Sequence, residues 1–262
     1  MLQHFNLGGF LIHSYGLIVA LAILLGLGVA YSLANQDKEY QNHLMDVVIF
    51  GLFGAIIGAR IWQVFFYDWG YYSENLLQTV MIWKGGLSIQ GGIVGAVIVG
   101  VLYSRIKRIN FWRLADIAAP GLIFGQAIGR IACFLNGDAF GSPTGSDFGI
   151  VYPPGTYAYE VFGNQPLWPA EIWEGQINIV IFAVILILSR WKSVPQGTVF
   201  LAYVSLYSLN RFVLEFFRGD GSKYLLDLTS GQWTSIFVIA ISLVVGFIIL
   251  FRSRKALSGE KE

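Results

Sequence analysis

Seven apolar runs punctuate this chain, near Tyr15–Asn35, Leu44–Phe66, Leu87–Ser104, Leu114–Asn136, Ile172–Ser189, Gly197–Phe217 and Trp233–Phe251. Each is about 18–23 residues, long enough as a helix to cross a hydrocarbon core of roughly 30 Å. Charge agrees: only 13% of the 262 residues are Asp, Glu, Lys or Arg, about half the share usual in a soluble protein. The expected fold is therefore an all-α polytopic membrane protein, a single integral membrane domain over residues 1–262. The opening fifteen residues lack the basic region of a cleavable signal peptide, so the first run reads as a retained span. The third begins among glycines (Gly85, Gly86, Gly91, Gly92) and suits a tightly packed or partly re-entrant segment.

Lysine and arginine set the orientation. Lys38, Arg105, Lys107, Arg108, Arg113, Arg190, Lys192, Arg252, Arg254, Lys255 and Lys261 follow spans one, three, five and seven, whereas Lys84, Arg218 and Lys223 lie on the other side. Eleven against three puts the C-terminus in the cytoplasm and the N-terminus outside. The longest connection, from Gly137 to about Glu171 between spans four and five, is then outside. It contains no Lys or Arg, and loops of such length are usually functional or flexible.

Three basic residues remain, Arg60, Arg130 and Arg211. Each lies about six residues before the outer end of an outward-running span, roughly 9 Å below the surface at 1.5 Å per residue. An arginine near mid-bilayer costs roughly 2.5–3.5 kcal/mol on insertion scales and tends to mark function. Two readings stand. Either the three line one chamber for an anion, or each snorkels outward or pairs with an acid, as Arg211 could with Glu215 at i+4. Asn136 and Asp138 follow Arg130 where its helix leaves the membrane; Tyr15, Gln90 and Arg218 lie at the same outer level. Gln90 reads as a hydrogen-bonding residue, since an amide takes up no proton at neutral pH. Cys133, the single cysteine, excludes an intrachain disulfide. With no histidine placed to activate it, it reads as a packing residue. No metal-ligand spacing and no phosphate-loop or nucleic-acid motif is present.

The segment Gly129-Arg130-Ile131-Ala132-Cys133-Phe134-Leu135-Asn136-Gly137-Asp138-Ala139-Phe140-Gly141 resembles the signature of bacterial prolipoprotein diacylglyceryl transferases, Gly-Arg-x-Gly-Asn-Phe-hydrophobic-Asn-x-Glu-x-x-Gly. The likeness extends to Tyr15-Gly16, Gly58-Ala59-Arg60, the Gly85–Gly92 stretch, the segment from Trp168-Pro169 to Glu174, and Arg211 through Glu215 to Arg218. Among the departures from the family pattern, Gln90 and Trp168 replace histidines, Cys133 an asparagine and Asp138 a glutamate.

The resemblance implies transfer of a diacylglyceryl group from phosphatidylglycerol to the lipobox cysteine thiol of a prelipoprotein. It implies no cofactor or metal, and a multi-pass protein of the bacterial cell membrane. Arg130 and Arg211 would stabilise the departing phosphate, with Tyr15, Asn136, Arg60 and Arg218 binding the substrate. With Gln90 in the histidine position, the base would be Asp138, Glu215 or the phosphate itself. The alternative is a relative that binds or handles anionic phospholipid without this reaction. A small-solute transporter fits less well, because no discontinuous spans pair in matched halves.

Overall fold

The computed structural model describes residues 4–7, 10–35, 37–191, 194–221 and 224–259. Lys192, Lys223 and Lys261 of the charge argument lie outside them. Among the described residues, seven helices are long and apolar enough to cross a membrane, matching the seven expected spans. Side chains such as Leu24, Phe53, Val180 and Phe247 are more than 60% exposed on them, as expected where lipid is the solvent. Contacts divide the chain into two compact units, one of residues 1–33 and 115–262, the other of residues 34–114.

The first unit opens with a hairpin, β1 (His4–Leu7) and β2 (Phe10–His13), which pair antiparallel with Leu7 opposite Phe10. It leads into α1 (Ser14–Ala34). The second unit holds α2 (Lys38–Trp62), a widened turn over Gln63–Tyr67, the short α3 (Trp69–Glu74), two tight helical turns at Leu76–Val80 and Ile82–Lys84, and α4 (Ile89–Lys107). α2 and α4 cross through small residues spaced four apart, Gly54 and Gly58 against Gly91 and Gly95. A Cβ at Gly95 would run into the Gly54 carbonyl, and one at Gly58 into that of Gly91. Such glycines let membrane helices approach closely enough for dispersion to hold them. The glycine-rich third span is thus a full, tightly packed helix and not a re-entrant one.

α5 (Phe111–Asn136) carries the chain back to the first unit. There α6 (Tyr157–Phe162) lies within the long connection, followed by α7 (Ala170–Ser189), α8 (Thr198–Leu214) and α9 (Ser230–Gly259). Ala119 and Ile123 of α5, Ile181 and Ile185 of α7, and Val199 and Tyr203 of α8 form one buried core. Gly26 of α1 meets Gly121 of α5, where a Cβ would lie 2.6 Å from the Gly121 oxygen. Asp116, buried on α5, accepts the Gly197 and Phe200 N–H groups at 2.6 and 2.8 Å. It therefore satisfies orphan donors at the α8 N-terminus and places a negative charge where the helix dipole favours one.

The long connection is folded. Phe140, Tyr152, Ala158 and Leu167 make its own core. Ladder bonds join Ile150 to Leu167 in both directions, at 2.9 and 3.0 Å. It is stitched to the end of α8 by Ser142 N–H to Phe217 O (2.8 Å) and Gly219 N–H to Phe140 O (3.1 Å). Gly141 must be glycine, since a Cβ there would enter the Trp168 backbone. The Tyr152 hydroxyl donates to the buried Glu171 carboxylate. Burial, then the Glu171 charge, pushes that phenol well above its ordinary value, so it stays a donor and ties the connection to α7.

A buried arginine and carboxylate cluster

The C-terminal ends of α5 and α8 and the N-terminal turns of α7 bring charged side chains together in the first unit. Glu174, the last residue of its motif-bearing segment, is the centre. Its side chain is 1% exposed. One carboxylate oxygen takes an Nη of Arg130 and faces the Tyr207 hydroxyl at 3.4 Å; the other lies 3.4 Å from Arg211 Nη1 and 4.0 Å from Arg218 Nη1. Three cations from two helices and the segment after α8 therefore share one carboxylate. A lone buried charge would be prohibitive, whereas a network of this kind fixes guanidinium positions through directed hydrogen bonds.

Glu215 is a second anchor, 4% exposed. It lies 2.9 Å from Arg211 Nη2 and 3.9 Å from Arg218 Nε, and accepts the Thr229 hydroxyl at 2.9 Å. Thr229 and Gln232 bond reciprocally, N–H to side chain, in a capping box at the start of α9. A Cβ at Gly231 would lie 2.9 Å from a Glu215 oxygen, so the carboxylate rests directly on that helix terminus, where the dipole favours the anion. Arg218 gives Nε and Nη2 to Asp220, while its buried Nη1 makes no hydrogen bond.

Arg130 also borders a second cluster. Its Nη1 is 3.9 Å from Cys133 Sγ. Tyr15 of α1 lies within electrostatic reach of Cys133, Asp138 and Arg130. Asn136 donates to Asp138 Oδ2 at 2.9 Å. Asp138 Oδ1 is buried without a hydrogen bond, with the Cys133 thiol among its neighbours. Asp138 Oδ1 thus makes neither a hydrogen bond nor an ion pair, whereas Glu215 Oε2, also without a hydrogen bond, is ion-paired to Arg211 and Arg218, and Glu215 Oε1 accepts from Thr229.

Seven of the expected site residues, Tyr15, Arg130, Asn136, Asp138, Arg211, Glu215 and Arg218, belong to this unit. Arg60 and Gln90 belong to the other. Arg60 departs from the expectation of a phosphate ligand, because every N–H of its guanidinium points to a backbone carbonyl. Nε donates to Thr79 (2.8 Å), Nη1 to Gly85 (2.8 Å) and Gly86 (2.7 Å), and Nη2 to Gln78 and Met81. Gln90 is exposed, with its side-chain oxygen accepting from Ser88 Oγ at 2.8 Å. Glu174 escaped the sequence reading. Its position in the first turns of a span looks like an ordinary helix-start acid, and only its place in the Trp168–Glu174 segment marked it.

Comparison with known proteins is consistent across the chain. The family model for prolipoprotein diacylglyceryl transferase matches residues 3–248. A phosphatidylglycerol–prolipoprotein diacylglyceryl transferase of Acaryochloris marina is 35% identical over 98% of this chain and 93% of its own length. Proteins of the same name from Bacillus licheniformis and Listeria innocua are 37% and 38% identical, over 90% and 94% of the chain and 87% and 88% of theirs. The chain belongs to the prolipoprotein diacylglyceryl transferase family.

Proposed function

We propose that this protein transfers a diacylglyceryl group from phosphatidylglycerol to the lipobox cysteine of prelipoproteins, without a histidine base. The observation that carries this reading is the set of three guanidinium groups fixed on Glu174 beside Asp138 Oδ1. In the reaction the glyceryl C–O bond to phosphate breaks and a C–S bond forms. Negative charge grows on the departing phosphate, and preorganised donors stabilise it most effectively in a water-poor site. Arg130 and Arg211 serve this role, since guanidinium matches phosphate oxygens two at a time; Arg218 Nη1 adds a third donor. Tyr15 and Asn136 position the headgroup. The thiol proton passes to Asp138, and glycerol 1-phosphate leaves.

Gln90 acts through hydrogen bonding and not as a base; its side-chain oxygen accepts from Ser88. Restoring the family residue, Gln90→His, is expected to leave thioether formation within roughly tenfold of the natural protein, about 1.4 kcal/mol in barrier. An inactive natural form beside an active histidine variant would instead identify a lipid-handling relative that has lost its base, since general-base help is worth roughly 10²–10⁴-fold.

On this reading the protein resides in the bacterial cell membrane with its N-terminus outside and the site at the outer leaflet, an orientation that the lysine and arginine asymmetry supports. A cysteine at Ser146, in a Cys133→Ser background, should react with an impermeant thiol reagent on intact cells. Reaction only after permeabilisation would reverse the orientation.

A further inference from the structure

We propose that the connection between α2 and α4 lies in the membrane as an inserted lipid-contacting element, held at that depth by Arg60. The connection is irregular, with two tight turns and Gly85 and Gly86 at positive φ. Irregular backbone enters lipid only where its polar groups are satisfied internally. Arg60 does this: it is 7% exposed, takes the carbonyls of residues 78, 79, 81, 85 and 86, and stacks 4.9 Å above the Tyr72 ring. Gly86, at φ +72°, suits this place, since a Cβ would crowd the Tyr72 hydroxyl at 2.8 Å and Arg60 Nη1 at 2.9 Å.

These bonds also fix depth. Arg60 precedes the end of α2 at Trp62, so the middle of the connection is drawn back alongside the spanning helix. Ser88 N–H likewise returns to the Ala59 carbonyl at 3.1 Å. At that level Leu76, Leu77, Val80, Trp83 and Ile89 are all 68–78% exposed. The flanking segments also present exposed apolar side chains next to the connection, Phe66 (68%) before it and Ile93 (61%) after it. An aqueous loop exposing so large an apolar patch would be costly in water. The aromatic residues Tyr67 and Trp69 suit the headgroup boundary. The occupant of this face is therefore the bilayer.

Spin labels test this in nanodiscs of phosphatidylcholine and phosphatidylglycerol, using single cysteines in the full chain with Cys133→Ser. Labels at Leu77 and Trp83 should collide readily with oxygen, which concentrates in lipid, and poorly with an aqueous nickel chelate. A label at the exposed Ser146 should do the opposite. Arg60→Lys, which cannot serve five carbonyls with one ammonium, should raise nickel access at Leu77 severalfold and leave a label at Phe53 of α2 unchanged. Ready nickel access at Leu77 in the parent, or dipolar broadening between Leu77 labels that requires two copies per disc, would overturn the lipid assignment. Unchanged access at Leu77 in Arg60→Lys would overturn the role of the arginine.

Discussion

Glu174→Gln is expected to lower the rate of diacylglyceryl transfer by about 10²–10³-fold, the range typical for losing one preorganised donor at a developing anion. Glu174 touches no substrate in this account; it acts by holding Arg130, Arg211 and Arg218. Glutamine keeps one acceptor oxygen but presents N–H donors to a guanidinium and removes the shared negative charge. Breaking a buried pair commonly costs about 3–5 kcal/mol, so folding must be measured beside activity. Glu174→Asp keeps the charge one methylene shorter and should recover part of the loss. A folded Glu174→Gln protein with activity within threefold of the natural one would refute the role given to Glu174.

The second large effect is expected at Asp138. Asp138→Asn preserves shape and the neighbouring Asn136 but cannot accept the thiol proton, so kcat should fall by roughly 10²–10⁴-fold while phosphatidylglycerol binding changes little. Glu215 differs, because it is tied to two arginines, to Thr229 and to the start of α9. Glu215→Gln should therefore destabilise the protein as well as slow it. Near-natural activity in Asp138→Asn would assign the proton to the departing phosphate and remove Asp138 from the mechanism.

The spans were legible in the sequence because membrane helices must satisfy their backbone internally, which makes length and hydropathy almost sufficient. Arg130 and Arg211 were legible for a related reason: an ionised group in hydrocarbon is costly enough to stand out. Depth alone misread Arg60. Its distance from the helix end resembles that of the other two, yet its partners are carbonyls of a later segment whose irregular course no periodicity reveals. Glu174 shows the converse. The side chain that fixes the cluster lies in the first turns of α7, where acids are commonplace, and only the packing of three elements gives it three cations. The folded connection between α5 and α7 was hidden for a similar reason, since its core of Phe140, Tyr152, Ala158 and Leu167 draws on residues too far apart to form a local pattern.

The most direct test of the account uses the natural protein in vesicles containing phosphatidylglycerol labelled in its headgroup glycerol, with a lipobox peptide. The expected result is a peptide carrying a diacylglyceryl thioether, with labelled glycerol 1-phosphate released in equal amount. Phosphatidylglycerol bound to the folded protein while the peptide stays unmodified and no glycerol 1-phosphate appears would contradict it.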